Sequence, residues 1–456
     1  MSTTELWLEH AWIDGEIGSG VRITVDDGRF TAVHHGVPRF TDVEQSRRAA
    51  GAQALPGLTI PGLANGHSHA FHRALRGRVQ VGRGTFWSWR DRMYALAATL
   101  TPDSYHALAG AVFAEMLATG FTSVAEFHYL HHGPDGRPYA QPNAMAEALI
   151  DAARSVGIRI TLLDTCYLAG GIDRPVEGVQ ARFSDGDATR WARRVGALDS
   201  SESWSSERGV RIGAAVHSVR AVPRDQIPVV VELARSQAMP LHVHLSEQVA
   251  ENDQCLRAYG LTPTGLLAGA GALGPATTVV HATHLTADDV GELGRAQGLA
   301  CLCPTTERDL GDGIAESVAL RDAGIRLTVG SDSHAVIDAF EELRAVELDE
   351  RLASRQRGRW SAAELLTAGT ENGQRSLGFD DAGRIAVGCR ADLVTLDLHS
   401  VRTAGGGASV ESAVFAAGAD DVRQVMVDGR VVFTEGDRSA IGERLDRAVT
   451  DIWSRT

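Results

Sequence analysis

Residues 58–69 read LTIPGLANGHSH, an apolar run that ends in two alternating histidines. Seven similar runs follow along the chain, and most of them are also apolar at the start and polar at the end. They are GFTSVAEFHY (120–129), IRITLLDTCY (158–167), VRIGAAVHSV (210–219), PLHVHLSE (240–247), TTVVHATH (277–284), LACLCPTT (299–306) and IRLTVGSDSH (325–334). Stretches with helical periodicity, such as SYHALAGAVFAEMLATG, separate most of these runs. Eight alternations of strand and helix predict an α/β fold built on a (β/α)8 TIM-like barrel.

The two ends of the chain have a different pattern. Residues 5–57 and the segment from 383 onward contain short β-rich runs joined by Asp-Gly or Gly-Arg turns, which is typical of hairpins. We therefore expect a small β-sandwich domain formed by both termini, 1–57 plus 383–456. The barrel, as a metal-dependent hydrolase domain, would occupy 58–382.

The composition excludes several classes of protein. The 456 residues include 58 Asp+Glu against 44 Lys+Arg, a net charge of −14, and all of the basic residues are arginine. Without lysine there is no P-loop lysine, no Schiff-base lysine and no carboxylated lysine to bridge two metal ions. An acidic chain without a basic cluster also does not indicate a nucleic-acid-binding protein, because such proteins must neutralise phosphates.

The sequence also bears on where the protein works. No apolar run approaches the roughly 18 residues that a membrane span requires, and MSTTELWLEHAWIDG lacks the features of a signal peptide. The five cysteines include no CxxC pair, so neither a disulfide framework nor a zinc finger is indicated. We expect a cytoplasmic protein that binds neither membrane nor nucleic acid.

The polar ends of the runs predict a metal site at the rim where barrel strands converge. His67 and His69 alternate, so they share one face of their strand. His242 or His244 would supply a third imidazole, and we favour His244 because it lies nearer the end of its run. Asp332 would be the fourth ligand. Three imidazoles and one carboxylate suit a single divalent ion, best Zn²⁺.

Two further residues at the ends of these runs are candidates for catalysis. Glu247 follows His244 by three positions, and a carboxylate beside metal-activated water can transfer protons. His281 ends a later run. The simpler interpretations are a salt bridge at the barrel rim for Glu247 and a role in orienting a metal ligand for His281.

An ordered set of motifs resembles the amidohydrolase superfamily. It runs from about 60 to 345 and comprises HSHAFHRA, FWSWRDRMY, SVAEFHYLHH, HSVRAV, HLSEQ, HATH, LGDGI and GSDSH. The chain is similar to the one-metal deaminase branch and, more narrowly, to the formimidoylglutamate deiminases, which hydrolyse a linear amidine in histidine degradation. The resemblance implies His67, His69, His244 and Asp332 as metal ligands, and Glu247, His281 and Asp332 as catalytic residues.

The resemblance also implies the substrate contacts, from His72, Arg90, Tyr129, His217 and Arg220. His72 departs from the family pattern, in which glutamine is expected. Arg90 lies in an aromatic-rich segment that we interpret as a loop after the first strand. Arginine suits a dicarboxylate substrate, because a guanidinium can donate two hydrogen bonds to one carboxylate.

Two alternatives remain open at this point. One is a related enzyme that acts on a purine, pterin or triazine ring, and the other is a metal-binding protein without activity. A homodimer is expected from the family.

Overall fold

The computed structural model describes residues 3–37, 53–80, 86–199, 205 and 209–455, with the side chains of 86–88 outside the description. The strands are β1 (Thr4–Ile13), β2 (Glu16–Asp26), β3 (Arg29–His34), β4 (Gln53–Pro61), β5 (Leu63–Ser68), β6 (Phe121–His128), β7 (Arg159–Cys166), β8 (Val210–Val216), β9 (Leu241–Leu245), β10 (Thr277–His281), β11 (Leu299–Leu302), β12 (Arg326–Val329), β13 (Leu393–Leu396), β14 (Val422–Val427) and β15 (Arg430–Thr434).

The α-helices alternate with the strands through the middle of the chain. They are α1 (Phe86–Thr99), α2 (Pro102–Ala118), α3 (Ala144–Val156), α4 (Ala188–Asp199), α5 (Ile227–Ser236), α6 (Val249–Tyr259), α7 (Pro263–Gly269), α8 (Ala287–Ala296), α9 (Pro304–Leu310), α10 (Ser317–Asp322), α11 (Ala339–Ser354), α12 (Ala362–Thr367), α13 (Gly373–Ser376) and α14 (Arg438–Trp453). Among the described residues, no helix combines the length and the hydrophobicity that crossing a membrane requires.

Strands β5 to β12 form one parallel sheet in chain order, which confirms the predicted barrel. These strands are buried almost throughout, as expected where helices cover a sheet that closes on itself. The sheet closes through a parallel bridge between Ser68 and Asp332. Closure needs a glycine at 330, because a Cβ there would lie 2.6 Å from the backbone nitrogen of His67.

The terminal segments build a second sheet, in the order β15-β14-β13-β4-β1-β2-β3. Its pairings are antiparallel except between β1 and β4, and its buried face includes Leu6, Leu8, Ile23 and Phe30. A β domain drawn from both ends of the chain is therefore confirmed. Strand β4 of this sheet continues to Pro61, past the predicted limit at residue 57. The domain limits 1–57 plus 383–456 stay a prediction.

A buried ion-pair network joins the barrel to the terminal sheet. Arg159 on β7 donates to both carboxylate oxygens of Asp392, at 2.5 and 3.0 Å, and to Asp428 at 2.7 Å. The side chains of Arg159 and Asp392 are fully buried. Neither charge contacts water, so each depends on the other for compensation.

One local prediction was wrong. The aromatic-rich segment that carries Arg90 is not a loop but part of helix α1. The segment is dense in aromatic and charged residues, which gave no clear helical periodicity, and contacts with the barrel override that local signal. Helix α1 touches the short 3-10 turn Ala70–Leu75 that follows the first barrel strand.

Candidate metal centre and active site

Three imidazoles meet one carboxylate at the C-terminal rim of the barrel. Nε2 of His67 lies 3.0 Å from Nε2 of His244 and 3.3 Å from Oδ1 of Asp332. Nε2 of His69 also lies 3.3 Å from Oδ1 of Asp332. The nitrogen atoms of His67, His69 and His244 fall within 4.8 Å of one another. The ends of β5 and β9 and the loop after β12 thus place four metal-type ligands around one point.

The hydrogen bonds of these rings fit a metal ion at that point. Nδ1 of His69 donates to the carbonyl of Phe127 at 3.0 Å, and Nδ1 of His244 donates to the carbonyl of His217 at 2.9 Å. With the proton held on Nδ1, each Nε2 presents a lone pair to the cluster. Lone pairs that face one another and a carboxylate repel unless a cation lies between them. The donor set therefore fits a divalent ion.

Burial keeps the ligand imidazoles in the form that binds metal. It lowers the pKa of His67 to about 3, although the hydrogen bond and charge of Asp332 act in the opposite direction. It also lowers the pKa of His69, and takes that of His244 well below its usual range. Burial raises the pKa of Asp332, but its hydrogen bond to His67 and the neighbouring imidazoles lower it overall. The rings are neutral and the carboxylate is ionised.

The backbone around the site is strained. Asp332 has φ +40°, His281 φ +69° and Ser246 φ +49°, and each lies at or just beyond the end of a barrel strand. Residues other than glycine seldom adopt these values, which cost of order 1–3 kcal/mol each. Such strain at the ends of β9, β10 and β12 is typical of functional sites, where the surrounding structure holds the backbone in place.

The two remaining catalytic candidates flank the cluster. Nε2 of His281 lies 3.9 Å from Oδ2 of Asp332, and its ring stacks 5.6 Å from that of His244. Burial lowers the pKa of His281, but the charge of Glu247, the hydrogen bond to Glu307 and the charge of Asp332 raise it to about 10. His281 therefore carries a positive charge in this carboxylate-rich pocket.

Arg220 lies beside Glu247. Its Nε donates to Glu251 at 2.9 Å, and one terminal nitrogen lies 3.5 Å from Glu247 Oε2. Burial lowers the pKa of Arg220, but Glu251 and Glu247 raise it overall, so the guanidinium stays charged. A cation is thus held inside the pocket, next to the candidate acid.

Two of the other predicted substrate contacts, His72 and His217, pack against ligand rings of the cluster. Nε2 of His72 and the hydroxyl of Tyr129 form a 2.9 Å hydrogen bond, and the ring of His72 lies 4.7 Å from that of His69. The ring of His217 lies 5.1 Å from that of His244. Arg90 on α1 covers the ring of Tyr94 at 5.6 Å.

The sequence matches a known protein family and several of its members. The model of the amidohydrolase family matches residues 58–432. The chain belongs to the amidohydrolase family. It is 36% identical to the formimidoylglutamate deiminase of Pseudomonas aeruginosa over 437 residues, 93% of this chain and 94% of that protein. It is 30% identical to the 8-oxoguanine deaminase of the same organism over 386 residues, 82% of this chain and 81% of that one.

A solved structure agrees with this assignment. The amidohydrolase from Brucella melitensis has a TM-score of 0.89 against this chain at 30% identity, covering 99% of this chain and 100% of the other. The family and its deiminase relative make the protein a hydrolase that acts on carbon–nitrogen bonds.

Sequence reasoning missed Tyr167 of this amidohydrolase. Its ring packs 4.7 Å from His217, and Gln180 donates to its hydroxyl at 3.2 Å. Burial and Tyr94 raise the pKa of Tyr167, while the charges of Arg220 and Arg90 act in the opposite direction. A tyrosine at the end of the third run was the signal, but that run carries no motif of its own.

Two acidic residues near the site were also missed. Glu126 accepts from Ser68 Oγ at 2.6 Å and from the Ala70 nitrogen at 2.7 Å, which fixes the turn that carries His69. Burial raises the pKa of Asp312 to about 8, and the charge of Glu247 adds to the effect. Asp312 belongs to the LGDGI motif, so a sequence signal was present without an assigned role.

A second group of buried metal-type side chains lies elsewhere in this amidohydrolase. His128, His131 and Asp164 present atoms within 4.8 Å of one another. However, both oxygens of Asp164 accept from Arg194, at 2.7 and 2.8 Å. The guanidinium already neutralises the carboxylate and would repel a second cation, so this group is a structural ion-pair cluster.

Proposed function

We propose that this protein hydrolyses N-formimidoyl-L-glutamate to N-formyl-L-glutamate and ammonia, as a step of histidine degradation. The observation that carries the proposal is the pairing of two chemically different ends in one pocket. One end is the cluster of histidines and Asp332. At the other, the positive charges of Arg220 and Arg90 both lower the pKa of Tyr167, whose ring packs on His217 beside His244. A dicarboxylate with a terminal amidine matches both ends.

One divalent metal ion, best Zn²⁺, would be held by His67, His69, His244 and Asp332. When bound, such an ion lowers the pKa of water and acts as a Lewis acid. The carbonyl groups of Phe127 and His217 keep two of the imidazoles turned toward it. The charge of Asp332 balances the ion, and the absence of lysine from the chain favours one ion over a lysine-bridged pair.

Proton transfer is assigned to two carboxylates. Asp332 accepts a proton from the water that attacks the formimidoyl carbon, since its carboxylate is ionised and lies at the centre of the cluster. Glu247, ionised until then, receives this proton and delivers it to the terminal nitrogen, whose bond to the carbon breaks once a second proton has arrived. A second proton passes from the added hydroxyl to nitrogen through the same carboxylates, so ammonia leaves and the formyl group remains.

His281 stabilises negative charge on the attacking oxygen. Its Nε2 faces Asp332 and its ring is charged in this pocket, so it presents a positive donor where charge develops. This role requires no proton transfer by His281 itself.

Substrate recognition is assigned to the arginine side of the pocket. Arg220 and Arg90 bind the two carboxylates, and His72, Tyr129 and His217 line the space between these carboxylates and the cluster. Because Glu251 and Glu247 already hold Arg220, the arginine is oriented before substrate arrives. A homodimer and a cytoplasmic location stay predictions.

The experiment is product identification. Purified protein of measured metal content is mixed with formimidoylglutamate, and proton NMR follows the formimidoyl hydrogen while a coupled assay measures ammonia. We expect N-formylglutamate and ammonia in equal amounts, no reaction after chelation, and recovery with Zn²⁺. Ammonia without the formyl product would exclude this reaction.

A ring deaminase is the second candidate. The observation that favours it is the set of aromatic side chains Tyr129, Tyr167 and His217, with Tyr129 and Tyr167 stacked at 6.5 Å, which could hold a flat ring. Two guanidinium groups beside these rings are a poor match for a neutral heterocycle, which offers them no carboxylate to bind. Turnover of a purine or triazine in place of formimidoylglutamate would support this candidate.

A further inference from the structure

Glu307 lies directly behind His281, on the first turn of α9. Its Oε1 accepts from the backbone nitrogen of Cys303 at 2.9 Å and lies 3.3 Å from Nδ1 of His281. Its side chain is buried. None of the motifs or patterns in the sequence pointed to this residue.

We propose that Glu307 is a positioning residue that holds the His281 ring with Nδ1–H toward Glu307 and Nε2 toward Asp332. The inference rests on the proposed role of His281 as the group that stabilises charge during hydrolysis. A histidine ring can present either edge to the cluster, and the partner that holds one nitrogen decides which way the other nitrogen faces.

His281 needs such a partner because its backbone does not fix the ring. His281 has φ +69° and Ala282 has φ +52°, so the chain turns sharply at the end of β10. The ring of His281 stacks at 5.6 Å on the ring of His244. Stacking alone does not decide which edge of the ring faces Asp332. Among the described residues, the hydrogen bond to Glu307 holds Nδ1, and it leaves Nε2 facing Asp332.

Glu307 is itself held in place. Its backbone nitrogen donates to the Cys303 carbonyl at 2.9 Å, while its carboxylate accepts from the Cys303 nitrogen, so main chain and side chain are tied to the same residue. The carboxylate therefore forms a fixed acceptor rather than a mobile one, as a group that orients another must.

A purely structural role for Glu307 is the alternative, and the chain offers a matched control. Glu342 on α11 is a fully buried carboxylate that binds the same helix, accepting from the nitrogen of Thr305 at 3.1 Å and its hydroxyl at 2.5 Å. Among the described residues, no hydrogen bond joins Glu342 to His281. If Glu307 only stabilises α9, Glu307→Gln and Glu342→Gln should impair the enzyme alike.

The kinetic test is a double-mutant cycle on metal-loaded protein with Glu307→Gln and His281→Asn, using whichever deaminase substrate the wild-type protein hydrolyses. Loss of a residue that orients an active-site group typically costs about 10- to 100-fold. We expect kcat of Glu307→Gln to fall by about that factor, with KM within about twofold and metal content unchanged. In the His281→Asn background Glu307→Gln should change kcat little further, because both act through one ring.

A spectroscopic readout separates this inference from the proposed function. In protein with ¹⁵N-labelled histidine, the Nδ1–H signal of His281 is identified by its absence in His281→Asn. We expect Glu342→Gln to keep this signal and Glu307→Gln to shift or lose it, whether or not formimidoylglutamate is the substrate. Glu307→Asp, which withdraws the carboxylate from Nδ1, should repeat the pattern if Glu307→Gln folds poorly.

Three results would overturn the inference. They are an unchanged Nδ1–H signal in Glu307→Gln, equal losses of kcat in Glu307→Gln and Glu342→Gln, and additive losses in the cycle. Absence of formimidoylglutamate turnover in wild-type protein with a normal Nδ1–H pattern would instead contradict only the proposed function.

Discussion

Nε2 of His67 and Nε2 of His244 lie 3.0 Å apart, although the residues are separated by 177 positions in the sequence. The ring of His244 has its proton on Nδ1, which the carbonyl of His217 accepts. Burial keeps both rings uncharged. Two neutral rings that face each other in this way are best explained as ligands of one cation.

Replacing His244 should remove the metal. We expect His244→Asn to retain less than a tenth of the wild-type metal content at equal added Zn²⁺, and to lose activity in proportion. Elemental analysis after gel filtration and the ammonia assay measure the two quantities.

His242 on the same strand provides the matched control. Its Nε2 donates to the carbonyl of Ser376 at 2.8 Å, so this ring has a partner outside the metal cluster. His242→Asn should therefore keep its metal, and equal metal loss in both variants would mean that the strand, not the ligand, had been disturbed.

Glu247 should matter for the rate and not for metal binding. Glu247→Gln keeps the size of the side chain but cannot donate a proton as an acid, so we expect kcat to fall by two or more orders of magnitude, the usual scale of general acid–base catalysis. Metal content should stay at the wild-type level. Near-wild-type kcat in Glu247→Gln would remove this residue from the mechanism.

Arg220 should determine affinity for a carboxylate substrate. A hydrogen bond to a charged group contributes about 1.5–3 kcal/mol, which corresponds to about a 10- to 150-fold rise in KM for formimidoylglutamate in Arg220→Met. The exposed Arg224, four positions later, is the control, and Arg224→Met should leave KM unchanged. Unchanged affinity in Arg220→Met would favour the ring-deaminase candidate.

The link between barrel and terminal sheet should dominate stability. Asp392→Ala leaves the buried guanidinium of Arg159 with only Asp428 as a partner, and breaking a buried pair typically costs about 3–5 kcal/mol. We expect a clearly lower Tm in a thermal melt. The exposed pair of Arg137 and Asp135 is the control, and the Tm of Asp135→Ala should equal that of the wild-type protein.

The barrel could be predicted because its signal repeats. Strands buried on both faces are apolar, and the residues that follow them face the active site. Most of the runs therefore change from apolar to polar residues at the same place. Choosing His244 over His242 needed only the direction of the strand. Such information is local, and the sequence displays it directly.

Other parts of the site depend on contacts that no local pattern shows. Glu307 reaches His281 across 26 positions from a neighbouring helix, and Tyr167 reaches His217 from the adjacent strand. The helix around Arg90 was also missed, because its form depends on contacts with the turn after the first barrel strand. The hydrogen bond between His72 and Tyr129 likewise appears only once the turn after β5 and the end of β6 are in place.

The pocket should select a dicarboxylate amidine over a neutral ring. The most direct measurement is kcat/KM for formimidoylglutamate beside guanine, 8-oxoguanine and a triazine, on one preparation of known metal content. We predict a kcat/KM for formimidoylglutamate at least 100-fold above that of any ring substrate, abolished by chelation and restored by Zn²⁺. A higher kcat/KM for any ring substrate than for formimidoylglutamate would contradict this selectivity.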